Sequence, residues 1–282
     1  MAEDLDDARL ADAFAHCASL VEDADPERAT AILFAAPEKR RFLYALYAFD
    51  LETAGIRERV SQPIPGEMRL QWWRERIEAA GSGGEEAPPV AEALAETIRR
   101  HDLPVPAFDR LLEARIFDLY DDPMPSREAF EAYAGETMST IVTLSAMVLG
   151  RKAAPFVAGL AGHAGVAALC RSTLLREPQH AARGQVFAPA DLLGAAGLDR
   201  RRWLEGGEGA EPARQALRAL GREHLSKVKA GWSTIPRALR PAFLPVRLLG
   251  RALDDGGRAA RSGPLGRTWR YWRWMRAPEG PR

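Results

Sequence analysis

The chain has 282 residues, 46% of them hydrophobic and 28% charged, ordinary proportions for a globular protein with a full core. Thirty-nine basic residues balance thirty-nine acidic ones, so the composition gives no argument for a nucleic-acid partner. Two cysteines, Cys17 and Cys170, lack metal-type spacing and fit buried thiols in a reducing compartment.

The charge is unevenly spread. Residues 1–25 carry eight acids against Arg9 alone, while residues 257–282 carry seven arginines against Glu279 alone. The start, MAEDLDDARL, is the reverse of a signal or transit peptide, and a cytoplasmic chain is expected, at most peripheral at an inner membrane. Ala, Leu, Arg and Glu dominate, and alternating β-branched runs are missing. Helices are predicted over roughly 6–22, 38–59, 66–80, 88–101, 105–120, 126–149, 153–175, 189–195, 210–231 and 236–253. Pro37 marks one helix start and Ser126, behind Pro125, another; residues 81–89 and 206–212 read as loops.

The longest apolar run, residues 156–170, is fifteen residues with His163 in the middle. That is short of the roughly 20 that span a bilayer, so a buried core helix is predicted and no transmembrane segment. Gly159, Gly162 and Gly165 recur every third residue, which suits close helix contacts. With no internal repeat, one all-α domain over 1–256 is the economical organisation, followed by a basic Trp/Arg-rich tail over 257–282.

Five segments could carry chemistry. In YALYAFDLETAGIRE, 44–58, Asp50, Glu52 and Glu58 lack the one-turn spacing of a helical chelate; Ala54 and Gly55 fill the positions that would complete it. In GEMRLQWWRERI, 66–77, Arg69, Trp72, Trp73 and Arg76 share one helical face. That face is either core with arginines at its rim or a pocket wall that holds an anion, the first being favoured. In DLYDD, Asp118 and Asp122 stand one turn apart just before Pro123, which reads as a loop-side acidic patch or a weak cation pair. In REPQHAARGQVFAP, Pro178 is expected to end a helix, with His180, Arg183 and Gln185 close together in a tight loop. Those residues bind a phosphate or carboxylate, or tie the loop to backbone carbonyls. GRTWRYWRWMR, 266–276, has the composition of a membrane interface or binding hot spot, or is a helix packed on its own domain.

In order and spacing these segments resemble the squalene/phytoene synthase family, the head-to-head prenyltransferases. LFAAPEKRRFLYALYAFDLE, LQWWRERI, the stretch ending in FDLYDD, FEAYAGETMSTIVTLSAMVLG, GVAALCRSTLLREPQHAARGQVFAP and GWSTIPRALRPAFLP carry the resemblance over roughly residues 25–253. It implies an all-α isoprenoid-synthase-type helical bundle around a central cavity. Tyr47, Phe49, Glu52, Arg69, Trp73, Arg74, Asp118, Asp122, Tyr133, His180 and Arg183 are the residues expected at that cavity.

In active members two aspartate-rich motifs face each other across the cavity. They hold the Mg²⁺ ions that neutralise a leaving diphosphate. At the first motif this chain reads Ala54-Gly55-Ile56-Arg57-Glu58; at the second it reads Arg176-Glu177-Pro178-Gln179-His180. Of the expected acids only Glu58 stands, and Arg176 and His180 occupy aspartate positions, so neither catalytic residues nor metal ligands are expected. By the same resemblance no cofactor is expected either. ALYAFDLE, GEMRLQWW, Pro178, His180, Arg183, Val186, Phe187 and Pro189 are similar to a non-catalytic branch, the mitochondrial complex I assembly factors with a phytoene-synthase-like domain. That resemblance implies work in respiratory-complex biogenesis, with a complex subunit or a membrane surface met through the C-terminal tail. Two alternatives stay open. One is an active prenyltransferase on farnesyl or geranylgeranyl diphosphate, using Mg²⁺ on Asp118 and Asp122. The other is a carrier of a prenyl or lipid ligand, with Arg183 or Arg74 at its anionic head.

Overall fold

Proline sets the rhythm of the fold by opening helices where its missing N–H costs nothing. It stands in the first turn of the helices Pro26–Ile32, Pro37–Ala54, Pro63–Glu78, Pro89–His101 and Pro264–Met275. The computed structural model describes residues 2–81, 87–120, 122–254 and 263–279, and among these there are helices and connections but no strand. The all-α class expected from composition is therefore the class observed. Ser126 caps the helix Arg127–Ala134 as its position predicts, its Oγ accepting from the Ala129 amide at 3.1 Å.

Several boundaries differ from the prediction. The helix expected over 38–59 ends at Ala54, turns at Gly55 and resumes as Ile56–Arg59. The helix expected over 126–149 is interrupted by a π-helical turn at Gly135–Ser139 before Thr140–Gly150 continues it. Short helices at Pro26–Ile32, Glu177–Ala182 and Arg200–Glu205 have too few turns to show a periodic pattern, and the sequence reading missed them.

Two apolar clusters make the core, and the helix Thr140–Gly150 serves both. Its Ile141, Leu144 and Val148, spaced as one helical stripe, join Phe49, Trp73 and Phe108. Its Ala146 belongs to a second cluster with Phe130, Trp203, Phe243 and Tyr271. The apolar run forms the helix Ala158–Leu175, which packs on Glu211–Ala230 with Ala161, Ala164, Val166, Ala167 and Leu169 buried. Ala154–Leu175 is the one stretch among the described residues long and apolar enough to cross a membrane; half of its apolar window is buried within the protein. Only one of its three spaced glycines explains a close approach. A Cβ on Gly165 would sit 2.0 Å from Ser139 Oγ, whereas Gly159 and Gly162 face open space.

The Trp/Arg-rich segment is a docked helix. Pro264–Met275 lays Tyr271, fully buried, against Pro26–Ile32, and the Tyr271 hydroxyl donates to the Glu27 carbonyl at 3.3 Å. Its C-terminal carbonyls are held by an arginine the sequence reading did not single out. Arg240, 0% exposed, donates from Nη1 to the carbonyls of Met275 at 2.9 Å and Ala277 at 2.6 Å. The Trp232 indole N–H adds a hydrogen bond to the Trp274 carbonyl at 3.2 Å.

Candidate functional site

The cavity that the resemblance points to borders the second apolar cluster at Tyr133, Leu169 and Phe187 and encloses about 70 Å³. The end of Pro37–Ala54 and the turn after it supply Ala54, Arg57 and Glu58 to one wall. The end of Ala158–Leu175 and the helix after it supply Arg176, His180 and Arg183 to the facing wall. Arg115, Asp118 and Tyr133 also border it.

The two walls are tied across the cavity by an ion pair. Arg176 Nη2 stands 2.8 Å from Glu58 Oε1, both side chains about two-fifths exposed. The two positions that the resemblance equates with facing metal motifs thus meet as a guanidinium and a carboxylate. A second contact anchors the Arg176 wall from outside. Glu177 receives a forked pair from Arg214, Nε to Oε2 at 2.7 Å and Nη2 to Oε1 at 2.6 Å, which fastens Glu177–Ala182 to Glu211–Ala230.

This short helix changes the reading of the segment. Pro178 does not end a helix; it sits in the first turn of the next one, and His180 is helical. The His180 ring lies against Phe187, centroids 4.6 Å apart. Burial, with Arg176 and Arg183 nearby, pushes its imidazole down to about 4, so it stands neutral at physiological pH. Gln185, buried behind it, donates to the Asp118 carbonyl at 2.8 Å.

Beneath the cavity lies a buried charge network. Asp50 accepts from Arg28 Nη1 at 2.6 Å and from Arg115 Nη2 at 3.0 Å. Arg115 Nη1 reaches Asp118 Oδ2 at 3.3 Å and the Tyr133 hydroxyl at 3.0 Å, and that hydroxyl donates to Asp118 Oδ1 at 2.5 Å. Two carboxylates meet two guanidiniums, so the charges balance out of water. Against the cost of burial, Arg28 and Arg115 hold the Asp50 carboxyl below the usual range. At Asp118 burial wins, and its carboxyl is lifted above that range in spite of Arg115. The Tyr133 hydroxyl is pushed well up by burial and by Asp118.

The network corrects the expectation for Asp118 and Asp122. Asp118 lies in the 3₁₀ turn Ile116–Leu119, buried and paired, while Asp122 lies outside any helix and is exposed, so they form neither a surface patch nor a chelate. The signal for Asp118 lay one turn backward, at Arg115, and not forward at Asp122. Nothing local marks Arg28, which reaches Asp50 from a helix the sequence reading missed.

Other expected cavity residues lie elsewhere. Phe49 and Trp73 stack edge to face at 5.1 Å inside the first apolar cluster. Tyr47 is buried beneath the Arg28 guanidinium, which lies 4.7 Å above its ring. Glu52 turns the other way; its carboxyl rises through burial, partly offset by Arg59 and His16. Arg69 is exposed, and Arg74 pairs with Asp109 at 2.5 Å and Glu113 at 2.9 Å at the rim of Pro63–Glu78. Neither arginine borders the cavity, because the buried stripe of that helix is Gly66, Leu70, Trp73 and Ile77.

The donor set does not suit Mg²⁺, which takes several carboxylate or water oxygens at close range. The Glu58 carboxylate is engaged by Arg176, and both Asp118 oxygens already accept hydrogen bonds. Arg57, Arg176 and Arg183 add positive charge to the same walls. What the arrangement supports is a small, partly open cavity whose two walls are joined by the Glu58–Arg176 pair.

The helix order, the cavity between facing helices and the charged positions at its mouth define an isoprenoid-synthase-type bundle. The squalene/phytoene synthase family model matches residues 21–262, and the chain belongs to that family. It is 29% identical over 238 residues to the Rattus norvegicus NADH dehydrogenase (ubiquinone) complex I, assembly factor 6, covering 83% of this chain and 71% of that one. Similarity to Phytoene synthase 1, chloroplastic, of Arabidopsis thaliana is lower, 23% over 194 residues, covering 67% of this chain and 46% of that one. A crystal structure of a dehydrosqualene synthase in complex with ligand superposes with a TM-score of 0.78 at 15% identity, over 95% of this chain and 96% of that one. That likeness establishes the fold.

Proposed function

We propose that this chain is a non-catalytic member of the family that serves as an assembly factor for respiratory complex I. The observation that carries the reading is the Glu58–Arg176 ion pair, which stands where ionisation of a prenyl diphosphate would need carboxylates gathered around metal. The similarity to a complex I assembly factor over most of both chains supports the biological setting. On this reading no cofactor is required, the partner is a complex I subunit or intermediate, and the protein works peripherally at the membrane where that complex is built.

The carrier reading finds less support. A cavity of about 70 Å³ is far below the roughly 300–1,000 Å³ of pockets that hold ligands of drug size, so a prenyl tail would have to force the walls apart. The transferase reading is weakened by the commitment of Asp118 to Arg115 and Tyr133.

Two measurements test the proposal. Purified protein with Mg²⁺ and farnesyl or geranylgeranyl diphosphate should release no diphosphate; turnover overturns the non-catalytic reading. Affinity capture of the tagged chain from membranes of its own cell should bring complex I subunits with it. Capture without them removes the assembly role.

A further inference from the structure

The helix Pro264–Met275 has two faces. Arg267, Tyr271 and Trp274 turn to the protein; the Arg267 Nε donates to Thr30 Oγ1 at 2.8 Å and Trp274 packs on the core. The opposite stripe, Leu265, Trp269 and Trp272, follows the i, i+4, i+7 spacing of one helical face and is 86%, 56% and 49% exposed. Natural surfaces rarely leave two indoles and a leucine in line without a partner.

Beside that stripe runs a groove of about 420 Å³, between Leu244–Asp254 and Pro264–Met275. Its walls carry Lys229, Arg247, Arg251, Arg270 and Arg273. Among the described residues none of these five cations is paired with a carboxylate. The Lys229 ammonium lies over Gly250, where a Cβ would come within 3.3 Å of it, so the glycine keeps room for the charge. Arg247 is held between two indoles, 4.4 Å from the Trp232 ring centre and 4.9 Å from that of Trp274. Burial, with Arg240 and Arg273 beside it, pulls its guanidinium down to about 10, as expected where cations gather without compensating acids. Arg273 and Arg276 lie over Trp269 and Trp272 at 4.9 Å and 4.8 Å, so the exposed indoles are themselves bordered by guanidiniums.

We propose that this groove and the Leu265–Trp269–Trp272 stripe form a docking surface for an anionic phospholipid bilayer. The five cations take lipid phosphates, which guanidinium forks match in geometry. The indoles and Leu265 enter the headgroup layer, the depth that suits aromatic rings with a polar edge. A polyanion such as nucleic acid satisfies the cations but leaves the leucine and indole edges uncovered. The inference deepens the peripheral location proposed above and rests on that reading for its biology, but it uses residues remote from the cavity.

The test is flotation of the full-length protein with vesicles of phosphatidylcholine alone and of phosphatidylcholine mixed with phosphatidylglycerol. Binding is expected only to the anionic vesicles, and it should weaken as salt is raised. Each basic side chain near such a surface is worth about fivefold in partitioning, so Arg251→Ala with Arg270→Ala lowers the partition coefficient about 25-fold. A thermal melt of that variant confirms that it is folded. Independently, bromine-labelled lipid should quench the tryptophan fluorescence of the unaltered chain, and Trp269→Ser with Trp272→Ser should remove most of the quenching. Equal binding to both vesicle types, no binding to either, or retention of an oligonucleotide without vesicle binding overturns the proposal. No respiratory subunit is present in the assay, so its failure leaves the assembly reading to its own capture experiment.

Discussion

Glu58 and Arg176 meet at 2.8 Å across the mouth of the cavity and join its two walls by direct attraction. Because both side chains are about two-fifths exposed, the pair is screened by water, and its worth to stability is at most about 1 kcal/mol. Its meaning is chemical: the Glu58 carboxylate is neutralised by the side chain opposite.

The first prediction follows from that geometry. Glu58→Gln should shift the free energy of unfolding by less than about 1 kcal/mol. The melting temperature of the unaltered chain should not respond to millimolar Mg²⁺. A variant carrying Ala54→Asp, Arg176→Asp and His180→Asp should gain a response, about 1.4 kcal/mol at an ion concentration tenfold above its Kd. If the unaltered protein is stabilised by Mg²⁺ as much as the variant is, the ligand argument fails.

A larger effect is expected in the network below. Arg115 is 4% exposed and serves Asp50, Asp118 and Tyr133 together. Arg115→Met leaves two buried carboxylates short of a partner and should cost about 3–5 kcal/mol in urea unfolding. Combining it with Asp50→Asn and Asp118→Asn should recover part of that loss, because neutral amides suffer less from burial. A single substitution that costs under about 1 kcal/mol would show that water reaches these groups.

Acid should weaken the protein through its histidines. His180 is depressed to about 4 from the ordinary 6.5 by burial and by Arg176 and Arg183, so as pH falls the unfolded chain takes the proton first. Its contribution is therefore complete above about pH 6.5, drains away between 6.5 and 4, and levels off below. His101, also pushed to about 4 by burial and neighbouring cations, adds a decline of the same sign. Urea midpoints collected across this window should fall less steeply for His180→Gln than for the unaltered chain, and least for the double variant with His101→Gln. Parallel slopes for all three would contradict the burial of these rings.

The three glycines of the apolar helix should separate cleanly. At Gly165 a Cβ would lie 2.0 Å from Ser139 Oγ and 2.6 Å from the Ser139 amide nitrogen, so Gly165→Ala must push the helix off the π-turn. A loss of about 1–3 kcal/mol is expected. Gly162 meets nothing within 4 Å, and Gly162→Ala should stabilise by about 0.5–1 kcal/mol through the lower backbone entropy of the unfolded chain. Chemical denaturation of the two variants should give opposite signs.

The sequence by itself determined the all-α class, the long helices, the buried apolar run and the membership of the family, because helical periodicity and proline punctuation are local, and ordered motifs survive divergence. Ala54, Arg176 and His180, the residues at the motif positions that the resemblance suggests, are likewise read directly from the sequence. Only the tertiary structure decided what those positions do. Arg28 and Arg115 reach Asp50 from residues 22 and 65 positions away, and Arg240 finds the carbonyls of residues 275 and 277 at the end of another helix. Arg69 and Arg74 looked like cavity residues in the linear motif, yet the rotation of their helix, set by burial of Leu70 and Trp73, turned them outward. A buried charge chooses its partner by three-dimensional proximity in a low-dielectric interior, and that proximity exists only once the helices have packed.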